Sequence, residues 1–245
     1  MMTELKTLKS IRLLMIGVFI AAASACSCSS DEPAAPASAP AAPVTPAAAP
    51  ARDETAPLAP ELMAHLVRFH SPVLGRADAP VTVVEVLDPA CEACRMFAPV
   101  VKQILFVHPD DVRVVVRYAA FHAGSDEAIR VLDAARRQGK FDATLTALFD
   151  RQEEWASHHA PNPAQAWQIA ADSGVDLAKA RKDARSASVD GLLRQEAEDI
   201  VALKVDRTPT FFVNGRSLPS LSPQTLLDLV DSEVGRARES RPQAQ

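Results

Sequence analysis

Residues 81–105 read VTVVEVLDPACEACRMFAPVVKQIL, and the fold is decided there. The first seven, VTVVEVL, form an apolar run of strand length broken only by Glu85, the pattern of a central strand buried on both faces. Asp88-Pro89-Ala90 ends the run. From Cys91 onward Ala93, Met96, Phe97, Val100, Val101, Ile104 and Leu105 recur at the i, i+3, i+4, i+7 spacing of an amphipathic helix. The pair Cys91 and Cys94 thus sits where a strand turns into a helix, with Cys91 expected in the first helical turn.

That placement has chemical consequences. Unpaired amide N–H groups and the positive end of the helix dipole favour the thiolate of Cys91 and make it the expected nucleophile. Cys94, three residues on, lies near the same face and is expected to close a disulfide with Cys91 or to resolve a mixed disulfide. Arg95 either adds cationic support to Cys91 or is a solvated surface charge. A stabilising cross-link is a poor account of the pair, because a bridge over two residues removes little unfolded-state entropy. Structural zinc needs four ligands, no second Cys-x-x-Cys exists, and the adjacent His158 and His159 project in different directions.

The strand, turn and helix with Cys-x-x-Cys at the helix start resemble the thioredoxin superfamily. Two further matches carry the resemblance. Glu85 lies six residues before Cys91, where the family places a buried acidic residue that relays protons to the resolving cysteine. Thr208-Pro209, followed by TFFVNGR over residues 210–216, looks like the family's cis-proline loop, strand and tight turn. About 115 residues separate Cys94 from Pro209, and segments near 126–138, 141–152, 163–173, 177–186 and 189–203 fit helices. Ser125 with Asp126 and Glu127 reads as an N-cap and acidic first turn, and Asn162-Pro163 as a second cap. The expected fold is therefore α/β and thioredoxin-like, with a helical insertion over about 124–203, similar to the DsbA-like bacterial thiol:disulfide oxidoreductases. The resemblance covers roughly residues 68–238. It implies that Cys91 and Cys94 form a redox-active disulfide, that Glu85 moves protons, and that Thr208 and Pro209 dock substrate backbone. It implies no metal or organic cofactor. The chain departs from DsbA itself, which has Pro-His between its cysteines and Val before the proline. Here Glu92-Ala93 and Thr208 occupy those places. Glu92 sets a negative charge beside the thiolate and opposes it.

The N-terminus reads as an address followed by a tether. Lys6, Lys9 and Arg12 precede an uncharged apolar run over residues 13–25, too short for a hydrocarbon core of about 30 Å but of signal-peptide length. Ala23-Ser24-Ala25 before Cys26 resembles a bacterial lipoprotein signal in which Cys26 is acylated, although Ala23 stands where Leu is more usual. A soluble secreted form and an uncleaved anchor are the alternatives. Eight of the 19 prolines fall between residues 31 and 60, in a stretch otherwise mostly Ala, so 26–60 is expected to be a disordered linker ahead of a 61–245 domain. The expected location is the periplasmic side of a bacterial envelope, tethered by lipid or soluble.

Over 245 residues the chain is 48% apolar and 23% charged, which excludes collagen, coiled-coil and polytopic membrane classes. A net charge of −5 gives no basic field for nucleic acid. Expected partners are cysteine-containing exported proteins and a membrane or periplasmic redox partner, with membrane contact through the lipid alone. Two other classes of function stay open. One is a copper- or zinc-binding module using the thiols with Met96 or histidines as extra ligands, and the other is a chaperone that works through the helical insertion without its thiols. Trp155 and Trp167 read as core residues before groove residues, His122 as an ordinary satisfied histidine that can approach the site from a strand end, and residues 181–185 as a solvated helix face.

Overall fold

The computed structural model describes residues 56–240. Strand β2, Val81–Leu87, is paired on both sides and buried along almost its whole length, as its apolar run requires. It runs parallel to β3, Val112–Tyr118, and antiparallel to β4, Thr210–Val213. The short β1, Val73–Gly75, and β5, Arg216–Ser217, close the edges, giving the order β1-β3-β2-β4-β5. Asn214 and Gly215 both take positive φ, 47° and 78°, which the tight β4–β5 turn requires. Ahead of the sheet lies the short helix α1, Pro60–Met63, and the residues before it are already part of the fold: the Leu58 amide donates to the Gly215 carbonyl at 2.9 Å.

Helix α2, Glu92–Val107, follows β2 and buries Cys94, Phe97, Val101 and Ile104. Together with the C-terminal helix α9, Pro223–Glu239, it packs on a sheet face through Val83, Val114, Phe211, Leu226 and Val230. Between β3 and β4 the chain is helical: α3 Ser125–Arg136, α4 Phe141–Asp150, α5 Gln152–Trp155, α6 Pro163–Asp172, α7 Leu177–Ala184 and α8 Ala187–Leu203. These form an apolar core around Leu132, Leu148, Trp155, Trp167 and Ile169 that extends to Leu87, Cys91 and Cys94, so insertion and active-site turn share one interior. The expected mixed fold with a helical insertion is the one observed.

Two helix starts differ from expectation. Cys91 is the N-cap of α2, with extended backbone at φ −81° and ψ 122°, because its amide is already held in a turn by the Asp88 carbonyl at 3.0 Å. Ser125 is the first helical residue of α3; Gly124, at φ 85°, takes the cap position and frees the Ser125 hydroxyl for another partner. Arg181 is also not merely solvated, since its guanidinium lies 4.8 Å over the Trp167 ring, and Ala184 in the same run is buried.

A buried ionic network ties α8 to β3 and to the segment before β1. Arg117 of β3 donates to Glu196 Oε2 at 3.0 Å and to Asp199 Oδ2 at 2.6 Å. Arg68 and His65 also bond Asp199, and His70 bonds Glu196. These bonds to Arg68, His65 and Arg117 outweigh the effect of burial and hold the Asp199 carboxyl well below the usual range.

Candidate active site

The end of β2 and the start of α2 place Cys91 and Cys94 one helical turn apart, both as free thiols and both buried. Their environments pull in opposite directions. Cys91 is brought down to about 5: the Cys94 thiol donates to its sulfur, burial opposes this, and the Thr208 hydroxyl and the amides of Cys94 and Ala93 add further donors. Cys94 is pushed up, first by burial, then by its bond to Cys91 and by the charges of Glu85 and Cys91. At neutral pH the site therefore presents a thiolate at the helix N-cap, backed by a thiol that donates to it.

The Thr208–Pro209 peptide bond is cis, and this loop faces the cysteines: the Cys91 sulfur lies 3.3 Å from the Thr208 carbonyl oxygen, a contact to which only the protonated thiol donates. Glu85 sits mid-β2, in register with Val116 of β3 and Phe211 of β4. Burial pushes its carboxyl up to about 8, and its charge acts on Cys94. The structure thus brings together Cys91, Cys94, Glu85, Thr208 and Pro209. Cys26, with the signal and most of the linker, lies outside the described residues.

Several residues that hold the site were not singled out from the sequence. Asp88 is fully buried and accepts from the amides of Ala90 at 2.8 Å, Phe121 at 2.7 Å and His122 at 3.0 Å, from His122 Nδ1 at 2.8 Å, and from the Ser125 hydroxyl. It binds the turn before Cys91 to the start of the insertion. Gln152, buried in α5, donates its amide to the carbonyls of Pro89 at 2.9 Å and Cys91 at 3.1 Å. Glu92 is not a lone charge beside Cys91; His158 Nε2 bonds its Oε1 at 2.6 Å. Its own backbone amide first, and then His158, hold the Glu92 carboxyl below its ordinary value. Arg95 turns to Glu153 at 3.4 Å on the surface and is no partner of Cys91. The fragment Asp-Pro-x-Cys was the one sequence signal for the Asp88 hub; Gln152 and His158 carried none, because only packing shows which loop meets the turn.

Trp155 and Trp167 are both buried; their indole N–H groups donate to the Leu148 carbonyl at 2.9 Å and to Glu127 at 2.5 Å. Among the described residues no three His, Cys, Asp or Glu side chains converge as a metal site, and no helix is long and apolar enough to cross a membrane.

The family described as Thioredoxin matches residues 69–232. Among solved structures, a thioredoxin-like oxidoreductase from Silicibacter pomeroyi is 30% identical, with a TM-score of 0.60 over 71% of this chain and 95% of that one. BdbD from Bacillus subtilis shares the fold at 21% identity, with a TM-score of 0.61 over 68% of this chain and 94% of that one. A Na(+)/H(+) antiporter, NhaA 1 of Mycolicibacterium vanbaalenii, is 32% identical over 150 residues, which are 58% of this chain and 23% of the antiporter. The chain thus spans about a quarter of the length of the curated relatives it matches.

Proposed function

Because the chain belongs to the thioredoxin family, we propose that it is a thiol:disulfide oxidoreductase acting on cysteine-containing exported proteins through Cys91 and Cys94. The observation that carries this reading is the opposite polarisation of the two thiols, one held as thiolate at a helix N-cap and the other as buried thiol. In the oxidising direction, a substrate thiolate attacks Cys91 of the Cys91–Cys94 disulfide. The S–S bond breaks, and its electron pair leaves on Cys94, which takes a proton through Glu85. A second substrate thiolate then attacks the substrate sulfur of the mixed disulfide and expels Cys91 as thiolate. Two electrons pass from substrate to protein. In reverse, the Cys91 thiolate attacks a substrate disulfide, and Cys94, deprotonated by Glu85, resolves it. Thr208 and Pro209, which border the Cys91 sulfur, receive the substrate backbone.

The low Cys91 value favours the oxidising direction. At pH 7 a thiolate of value about 5 stabilises the reduced form by about 2.7 kcal/mol over an ordinary thiol of 9.0, or on the order of 60 mV for a two-electron couple. Export and acylation at Cys26 belong to the same proposal; they rest on the charged, apolar and small-residue order of the first 26 residues. The test is a trap. Cys94→Ser should leave substrates joined to Cys91, visible on non-reducing gels and absent with Cys91→Ser. Adducts that accumulate with Cys91→Ser and not with Cys94→Ser would reverse the two roles.

A further inference from the structure

The solvent side of Cys91 carries two imidazoles that no reading of the cysteine motif supplies. His122 comes from the loop between β3 and α3, and His158 from the loop between α5 and α6. Their rings meet edge to face, with centroids 5.7 Å apart and planes at 61°. Each also sits on a carboxylate that borders the cysteines. His122 Nδ1 is 2.8 Å from Asp88 Oδ2, and His158 Nε2 is 2.6 Å from Glu92 Oε1. Asp88 lies three residues before Cys91 and Glu92 directly after it.

We infer that His122, packed against His158, acts as a proton-linked counter-charge to the Cys91 thiolate, so that the redox equilibrium of the site is set from two loops outside Cys-x-x-Cys and varies with pH around neutrality. The inference rests on the proposed exchange at Cys91 and Cys94, and it specifies how that exchange is regulated.

A protonated His122 adds a positive charge that acts on both Asp88 and Cys91, a neutral ring removes it, and His158 engages the Glu92 carboxylate through its hydrogen bond. Neither Glu92 nor Ala93 supplies a cation, and Arg95 is turned to Glu153. The other titratable groups tied to the site are Cys91 itself, the buried Cys94, and Glu85, whose charge acts on Cys94. For His122, burial opposes the charged form, but the bond and charge of Asp88 and the charges of Cys91 and Glu92 outweigh it and hold the ring above its ordinary value. Linkage is reciprocal, so if the Cys91 thiolate favours protonated His122, protonated His122 favours the thiolate by the same free energy.

The proton balance follows. Oxidising a substrate dithiol releases two electrons and two protons. The electrons and one proton reduce the disulfide to the Cys91 thiolate and Cys94 thiol. The second proton is taken up by His122 to the extent that the ring is neutral in the oxidised protein and charged in the reduced one. Protons taken up per two electrons should therefore be greater in the parent than in a chain without the imidazole through the imidazole range, and the difference should vanish above it.

The experiment is a glutathione equilibrium of the full chain at pH values from 6 to 9, for the parent, His122→Asn, His158→Asn and the double variant. Asn keeps an amide donor toward each carboxylate and cannot titrate. At pH 6 the double variant should shift the equilibrium on the order of fivefold toward the disulfide, the lower end of typical coupling, and the curves should converge as pH rises. Equal constants and equal proton counts at every pH would overturn the inference. An NMR titration of the unmodified chain provides a reading free of any folding defect: His122 should titrate at higher pH in the reduced than in the oxidised protein, and identical curves would also overturn it. If the proton count changes but Cys94→Ser traps no substrate, the proposed substrate reading falls and the proton linkage stands. A working trap with an unchanged proton count sinks the linkage alone.

Discussion

Replacing Glu85 by Leu should stabilise the reduced protein by an amount that grows with pH. Glu85 is 4% exposed, and burial alone raises its carboxyl from an ordinary 4.5 to about 8. Between those values the folded chain keeps a proton that the unfolded chain has released, so raising the pH disfavours the fold. The cost is small below pH 4.5, rises by about 1.4 kcal/mol per pH unit, and levels off above pH 8. Linkage with these two values gives about 0.8 kcal/mol at pH 5 and about 3.4 kcal/mol at pH 7. Leu fills a similar volume between Val116 and Phe211 without an ionisable group. Urea unfolding of the two reduced proteins should therefore show a stability gap that widens by about 2.5 kcal/mol from pH 5 to pH 7. The same variant should exchange disulfides more slowly, since Cys94 loses its proposed proton acceptor. A gap of the same size at both pH values would refute the reasoning, because it would mean that Glu85 titrates alike in the folded and unfolded chain.

Three further outcomes follow from named contacts. Thr208→Val removes a hydroxyl donor to Cys91 and should raise its thiol above about 5, by about one unit, making the protein about 30 mV more reducing; ultraviolet thiolate absorbance against pH checks the first and a glutathione titration the second. Arg117→Leu takes the guanidinium from the buried Glu196 and leaves Asp199 to Arg68 and His65, and should cost about 3–5 kcal/mol in urea unfolding at pH 7; because its bonds hold the Asp199 carboxyl well below its ordinary value, the deficit should shrink as pH falls below about 4. Glu92→Ala should lower the Cys91 value by only a few tenths of a unit in the parent, whose Glu92 is paired, and by more in a His158→Asn background; equal shifts in the two would show that the pair does not act as a unit.

What the sequence made legible is what local pattern determines. The apolar run of β2 marks that strand because burial on both faces leaves Glu85 as its one charged position. The insertion helices stand out through their period and their Asn-Pro start. Short elements escape such patterns. At three and two residues β1 and β5 have no period to read, and α9 was not singled out even though Ser222 and Pro223 mark its start, where the Ser222 hydroxyl accepts from the Thr225 amide at 3.1 Å. The cis geometry of Pro209 came from family likeness, since the energetics of an X-Pro bond leave trans the usual state. Ser125 looked like a cap because serine prefers caps, and that preference lost to a buried carboxylate: its hydroxyl donates to Asp88 while Gly124 turns the chain.

The site was less legible than the fold, for a physical reason that also bears on function. Cys91, Cys94 and Glu85 lie within ten residues on one strand and helix, so their relation is local. The groups that tune them arrive from the insertion: Gln152 on the Pro89 and Cys91 carbonyls, His158 on Glu92, and Ser125 with His122 on Asp88. Those pairings depend on how six helices pack, which no pattern within 25 residues encodes. The insertion shares its apolar core with both cysteines, so it is part of the frame that holds Cys91 at the N-cap and not a spacer before the cis-proline loop. A cavity opened there, for example by Leu148→Ala at a cost of about 2–5 kcal/mol, would loosen the turn around the thiolate as well as the helices. Loss of stability in the insertion and a change in Cys91 acidity should therefore accompany one another, as two thermodynamic faces of one packed unit.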